Sequence, residues 1–298
     1  MIDAQPAVQV CNDLDLKAIC SRSLKSAQNL SAGDDVDLYS EDSDSGPRFA
    51  DLLSRLDIQA IIWLLSVPIL AQSQYIRQAL LAGKHVLSEK PIADNLNVAQ
   101  ELINWYHENI DSKQISWSVA ENFRYLKSLE YAREQIHRAG KLLQFSVKGY
   151  ANIQPGGKYS ETDWRKNPEH QGGFLLDGGI HRLAGLRFLL GPENSVSSLS
   201  AQTALLQRHL APVDTVDAVL RTKSNATGTL SISFGTTFKG SEWAIACEGG
   251  SVIIRKSTVH TNFDGKENFT EIDDEGSGVT PEIRAWGEAL VKGERNQR

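Results

Sequence analysis

The chain has 298 residues, 41% of them hydrophobic and 23% charged, with a net charge of -6. These proportions exclude a disordered chain, and at about 100–200 residues per domain the length allows one large or two ordinary domains. The mild acidic balance speaks against a general nucleic-acid binder. The three cysteines have no CxxC spacing, which speaks against a disulfide framework and a cysteine zinc site. Residues 1–17 lack the basic and apolar regions of a signal peptide, and no apolar run approaches the ~18 residues of a membrane span. The expectation is a cytoplasmic protein with neither membrane nor nucleic-acid partners.

In chain order, residues 16–20 (LKAIC) form a short apolar run, followed by the polar punctuation Ser21-Arg22-Ser23. Residues 40–46 (SEDSDSG) read as a solvated acidic loop, and 49–56 as a short helix. Residues 58–66 (IQAIIWLLS) are a nearly continuous apolar strand ended by Pro68. Residues 69–82 have helical spacing and stop at Gly83; 85–88 are another short strand. Residues 96–109 are a further helix, capped by Asp94 or Asn95. Strands buried on both faces and separated by helices indicate a parallel sheet in an α/β layer fold.

Beyond about residue 140 the pattern changes to strands at 143–152, 195–206, 215–222, 227–236, 241–248 and 251–257, several with hairpin-like connections. One long helix, 180–190, interrupts them and ends at Gly191. The expected architecture is therefore α/β, with two domains, 1–120 and 121–298. The second is an α+β domain with an open, mostly antiparallel sheet.

Two segments carry candidate chemistry. Lys90 follows the strand 85–88, and in open α/β sheets ligands bind beyond the carboxyl ends of strands. Asp177 and His181 are four apart and share one face if a helix includes both. The surrounding Gly172, Gly173, Gly178 and Gly179 would let a ligand approach the backbone. A helix start at His181 would disfavour the imidazolium and leave a neutral proton acceptor. A metal site at Asp177, His181 and Glu89 has no supporting spacing, so none is expected.

At these residues the chain resembles the Gfo/Idh/MocA (glucose–fructose oxidoreductase, inositol dehydrogenase) family of nicotinamide-dependent enzymes acting mostly on sugars and polyols. The segment from Ala82 to Pro91 (AGKHVLSEKP) matches the family's AGKHVxxEKP signature. Asn122-Phe123-Arg124-Tyr125 resembles the opening of its second domain. Trp164-Arg165, Gly172-Gly173, Asp177 and His181 follow its WR…GG…DxGxH order. The resemblance implies an N-terminal Rossmann-like domain for 1–120 and a substrate and oligomerisation domain for 121–298, associating through its sheet into a homo-oligomer. It implies Lys90, Asp177 and His181 as the catalytic set. Ser21, Arg22, Ser66, Pro68, Gln72, Glu89, Pro91, Asn122, Trp164 and Arg165 would contact the cofactor.

Against the family pattern the chain starts inside the first helix, so strand one and the GxGxxG pyrophosphate loop are expected to be missing. It also stops before the family's final helix, and Ala184 stands where many members carry an acid. A missing central strand would leave apolar surface at Ile19, Ile61 and Ile62 exposed. Arg22, where the adenosine ribose is read, suits a 2′-phosphate and hence NADP. The function expected is an NADP-dependent oxidoreductase acting on a hydroxyl or carbonyl of a small polar substrate. The alternatives on the same fold are a cofactor-independent lyase, isomerase or cyclase, and a non-catalytic metabolite sensor.

Overall fold

The computed structural model describes residues 4–31, 35–42, 46–62, 69–156, 168 and 170–294. The chain divides into two compact units, Met1–Ala120 with Val279–Arg298, and Glu121–Gly278. In the first, helices and strands alternate: α1 (Ala4–Gln9), β1 (Ala18–Ser21), α2 (Leu24–Ser31), β2 (Asp37–Ser40), α3 (Phe49–Ser54), β3 (Ala60–Ile62), α4 (Ile69–Leu81), β4 (His85–Ser88), α5 (Leu96–Asn109) and β5 (Trp117–Val119). Asn95 is the cap of α5, its side-chain oxygen accepting from the Val98 N–H at 3.0 Å. The strands are all parallel but form two separate ladders among the described residues, β1–β2 and β3–β4–β5.

The apolar stripe of α4 and α5, with Ile76, Ala79, Leu80, Leu102 and Tyr106, closes over Val86 and Tyr39 in one core. At about 25 cal/mol per Å² such side chains each contribute roughly 1.5–3 kcal/mol on burial. The expected apolar exposure is corrected: Ile19 is buried, and Ile61 and Ile62 are half-buried against neighbouring clusters. Ala7 and Val8 of α1 belong to the cluster against which Ile62 packs, which covers part of that residue.

The second unit opens on a 3-10 helix, Asn122–Tyr125, followed by α6 (Lys127–Arg138) and β6 (Leu142–Tyr150). Then come α7 (Gly173–Leu190), β7 (Val196–Ala204), β8 (Thr215–Thr222), β9 (Thr227–Ser233), β10 (Gly240–Cys247), β11 (Gly250–Arg255), β12 (Thr258–Phe263) and β13 (Lys266–Glu271). The eight strands make one open sheet in the order β13-β12-β11-β10-β6-β9-β8-β7. Every pairing is antiparallel except β6 with β9. Alternation along the strands puts Phe145, Val147, Leu220, Leu230, Ile232, Trp243 and Ile245 into a core shared with Leu129 and Ile136 of α6 and Leu186 and Leu189 of α7. On the opposite face, Lys148 of β6 and Arg255 of β11 flank Glu242 of β10 in a cross-strand charge ladder.

The segment after Gly278 forms a helix, α8 (Val279–Lys292), which the pattern reading did not single out. It belongs to the first unit and not to the second domain as drawn at 121–298. The reason is its apolar stripe: Ile283 and Trp286 bury against Ala7, Val8, Cys11 and Leu87. Gly287 permits the approach, since a Cβ there would lie 3.0 Å from Leu14 Cγ and 3.1 Å from Cys11 Sγ.

Candidate functional site

In the first unit Ser21 ends β1, the segment Ser88 to Pro91 begins at the carboxyl end of β4, and Gln72 lies on α4. The Ser21 carbonyl accepts from the Glu41 N–H at 3.1 Å, tying it to the end of β2. Ser23 caps α2, its hydroxyl oxygen accepting from the Ser26 N–H at 3.2 Å. Arg22 lies between them with an exposed side chain. On α4, Gln72 is only 3% exposed, yet its Oε1 has no hydrogen-bond partner. A buried amide carbonyl left so calls for a donor, since such groups are rarely unpaired.

At the end of β4, Ser88 is buried and accepts from Trp117 Nε1 at 2.9 Å. Glu89 and Lys90 are half-buried and Pro91 is buried, and the Lys90 N–H donates to Glu89 Oε2 at 3.2 Å. The two lysines of the signature have different tasks. Lys84 is buried and donates to the carbonyls of Arg55 (2.6 Å) and Ile58 (2.8 Å), stitching the loop before β3 to the end of α4. Lys90 stands at the strand end where ligands bind in such folds.

In the second unit α7 begins at Gly173, seven residues earlier than the pattern indicated. Asp177 and His181 therefore share its face, but His181 is in the third turn and outside the reach of the helix-terminal dipole, which fades within the first turn. His181 Nδ1 lies 2.5 Å from Oε1 of Glu121, a carboxylate that is 6% exposed. Phe123 stacks on the imidazole, with centroids 5.0 Å apart and planes 21° from parallel. Arg182 rests over Phe123 and Trp243, and burial lowers its pKa from the ordinary value. Asp177 is buried one turn before His181.

The glycines around Asp177 serve packing rather than a ligand. A Cβ at Gly178 would meet Phe234 at 2.7 Å, so its absence lets α7 settle on the sheet, whereas one at Gly179 would make only ordinary contact with Leu175 and Ile232. Asn122, expected at the cofactor, donates its amide to Ser277 O at 2.7 Å and anchors the 3-10 turn. Ser66, Pro68, Trp164 and Arg165 lie outside the described residues. Glu121 and Phe123 were not foreseen as site residues. Their signal in the sequence was the Asn122–Tyr125 motif, which contains Phe123 and which Glu121 directly precedes.

Among the described residues no three or more His, Cys, Asp or Glu side chains gather as a metal site, and no helix is long and apolar enough to cross a membrane. A nicotinamide dinucleotide fits two features of the first unit: the exposed cation at the end of β1 and the unpartnered acceptor of Gln72. Ser21, Arg22 and Gln72 are the described residues that would hold it.

Comparison with known proteins matches residues 3–111 to an oxidoreductase-family model described as an NAD-binding Rossmann fold. Residues 133–286 match the C-terminal alpha/beta domain of the same family. The chain is 39% identical over 307 residues to Dehydrogenase FPY6 of Fusarium mangiferae, covering 98% of this chain and 86% of that protein. In fold it is similar to an oxidoreductase from Thermotoga maritima, with a TM-score of 0.84, 24% identity, and 99% and 85% of the two chains covered. It is also similar to KijD10, a 3-ketoreductase from Actinomadura kijaniata in complex with NADP and TDP-benzene (TM-score 0.76, 20% identity, 98% and 86% covered). The chain thus belongs to the Gfo/Idh/MocA oxidoreductase family, with a Rossmann-like N-terminal domain and an alpha/beta C-terminal domain.

Proposed function

We propose that this protein is an NADP-dependent oxidoreductase that interconverts a hydroxyl and a carbonyl on a sugar-like or other small polar substrate. The observation that carries the reading is the half-buried His181 imidazole, held at Nδ1 by a buried carboxylate so that Nε2 can exchange a proton. When bound, the nicotinamide supplies hydride chemistry: alcohol and NADP+ give carbonyl, NADPH and a proton. His181 takes that proton at Nε2 from the substrate hydroxyl, or returns it in the reverse direction. The Lys90 ammonium stabilises the oxygen as it gains negative charge. Asp177 orients the substrate or the imidazole.

Arg22 supports NADP over NAD, because a cation suits a 2′-phosphate where an acid would suit a free 2′-hydroxyl. Glu89 and Pro91 shape the turn carrying Lys90. Ser66, Pro68, Trp164 and Arg165 complete the proposed cofactor contacts, and Asn122 acts there only by holding its turn. KijD10, a 3-ketoreductase bound to NADP and TDP-benzene, agrees in kind with a nicotinamide-dependent reductase. We place the protein in the cytoplasm as a homo-oligomer joined through the open sheet face, an assembly that light scattering on the purified chain would measure. Calorimetry with NADPH and NADH tests the cofactor assignment. The expected result is tighter binding of NADPH and an NADPH-selective loss of at least about tenfold in Arg22→Ala, as for loss of a charge-assisted contact. Equal binding of the two dinucleotides, or no effect of Arg22→Ala, would overturn it.

A further inference from the structure

We infer that Glu121 is a positioning residue that commits His181 to one tautomer, with the proton on Nδ1 and the lone pair on Nε2. An isolated neutral imidazole exchanges between two tautomers, and the nitrogen that serves a reaction is chosen by the hydrogen bond that the other one makes. Here the choice is built from a single turn. Glu121 precedes the 3-10 helix Asn122–Tyr125, and its main-chain carbonyl accepts from the Arg124 N–H at 3.1 Å, fixing the turn from within. Asn122 ties the same turn to Ser277. Gly278 packs so closely on it that an added Cβ would lie 2.4 Å from the Asn122 carbonyl oxygen.

The carboxylate is therefore delivered to His181 by a braced backbone, not by a mobile loop. Phe123, two residues on, covers the ring whose edge Glu121 holds. A carboxylate only accepts when ionised, so the Nδ1 atom 2.5 Å away is the donor. Nε2 is then left to accept the substrate proton, and the imidazolium formed has its counter-charge in place. Glu121 touches no substrate in this arrangement and acts through His181. The use made of the proton rests on the oxidoreductase reading above; the tautomer does not.

Nitrogen-15 NMR of the histidine rings in the full-length chain, without cofactor or substrate, tests the proposal. In the wild type above the titration range, His181 should show a protonated, pyrrole-type Nδ1 and an unprotonated, pyridine-type Nε2, identified by loss of its signals in His181→Gln. In Glu121→Gln, whose amide can donate as well as accept, the two resonances should move toward averaged values, and Glu121→Asp should shift them less. A wild-type Nε2–H tautomer, or resonances unchanged in Glu121→Gln, would overturn it. Should Glu121→Gln fail to fold, the wild-type spectrum alone decides. A protein with the inferred tautomer that binds no NADPH would sink the oxidoreductase reading and leave this one standing.

Discussion

Gly178 lies flat against Phe234, so that an added Cβ would stand 2.7 Å from the ring's Cζ, while its neighbour Gly179 would keep 3.8 Å from Ile232. Phe234 is itself set edge-on against Phe174, with centroids 5.0 Å apart, and has little room to retreat. Replacing a mid-helix glycine by alanine gains about 1 kcal/mol in helix propensity. Overpacking costs about 1–3 kcal/mol. At Gly178 the second effect wins, and at Gly179 the first does. Gly178→Ala should lower the urea midpoint and displace the turn between Asp177 and His181, whereas Gly179→Ala should raise the midpoint. Equal shifts in the two variants would contradict this account of how α7 sits on its sheet.

The two signature lysines should separate stability from activity. Lys84→Met removes a buried ammonium and strands the carbonyls of Arg55 and Ile58, a loss of about 1.5–3 kcal/mol for hydrogen bonds to a charged donor. Lys90→Met should cost less stability than Lys84→Met and slow hydride transfer by about 100-fold or more, as for loss of a charged group aimed at the developing oxyanion. Denaturant titration and stopped-flow NADPH oxidation measure the two. Interchanged outcomes would reverse the assignment.

His85 gives the first unit an acid-sensitive element. Burial holds its pKa below the ordinary value near 6.5, and its Nδ1 accepts from the Ser116 N–H at 3.1 Å. A depressed imidazole pKa means that the unfolded chain binds the proton more readily. Stability contributed by neutral His85 is therefore whole above about pH 6.5 and declines as the pH falls toward the folded-state value. His85→Asn, which keeps an acceptor for Ser116, should lose less thermal stability than the wild type between pH 7.5 and 5.5. An identical pH dependence in both proteins would remove His85 from this role.

The thiols should be inert in the native state. Burial, with Glu41 adding to it, pushes the Cys20 thiol up to about 12, and burial also raises Cys247. Cys11 is buried beside Gly287. The thiolate is the reactive form, so a disulfide reagent at pH 8 should titrate the three cysteines only after unfolding. Rapid labelling of Cys20 in the folded chain would refute this.

The strands β8 to β11 were legible because their side chains alternate and their turns are marked by residues such as Asn225 and Gly250, both at positive φ. β4 and α4 were legible because a compact apolar strand and a helical stripe flank Gly83, which also has positive φ. The early start of α7 was hidden by its glycines, which weaken a helical pattern, although Gly178 here answers to Phe234 across the interface. β5 is three residues long and too short to carry a period. α6 presents Leu129, Ala132 and Ile136 among charged residues, a stripe narrowed by an alanine at its centre. Asp177 and His181 could be found from spacing, but Glu121 is sixty positions from its partner, and only the folded chain joins them.

Because α8 covers Ala7, Val8 and Cys11 from the far side of the second unit in sequence, the order of synthesis and the order of assembly disagree. Domains are usually completed from the amino terminus as the chain leaves the ribosome. Here the helix carrying Trp286 emerges only after every strand of the eight-stranded sheet has been made. Until then α1 has only Leu87 and its neighbours for cover and lacks Ile283 and Trp286, so the nascent first unit must wait for its last helix while the second unit can already close around its own core.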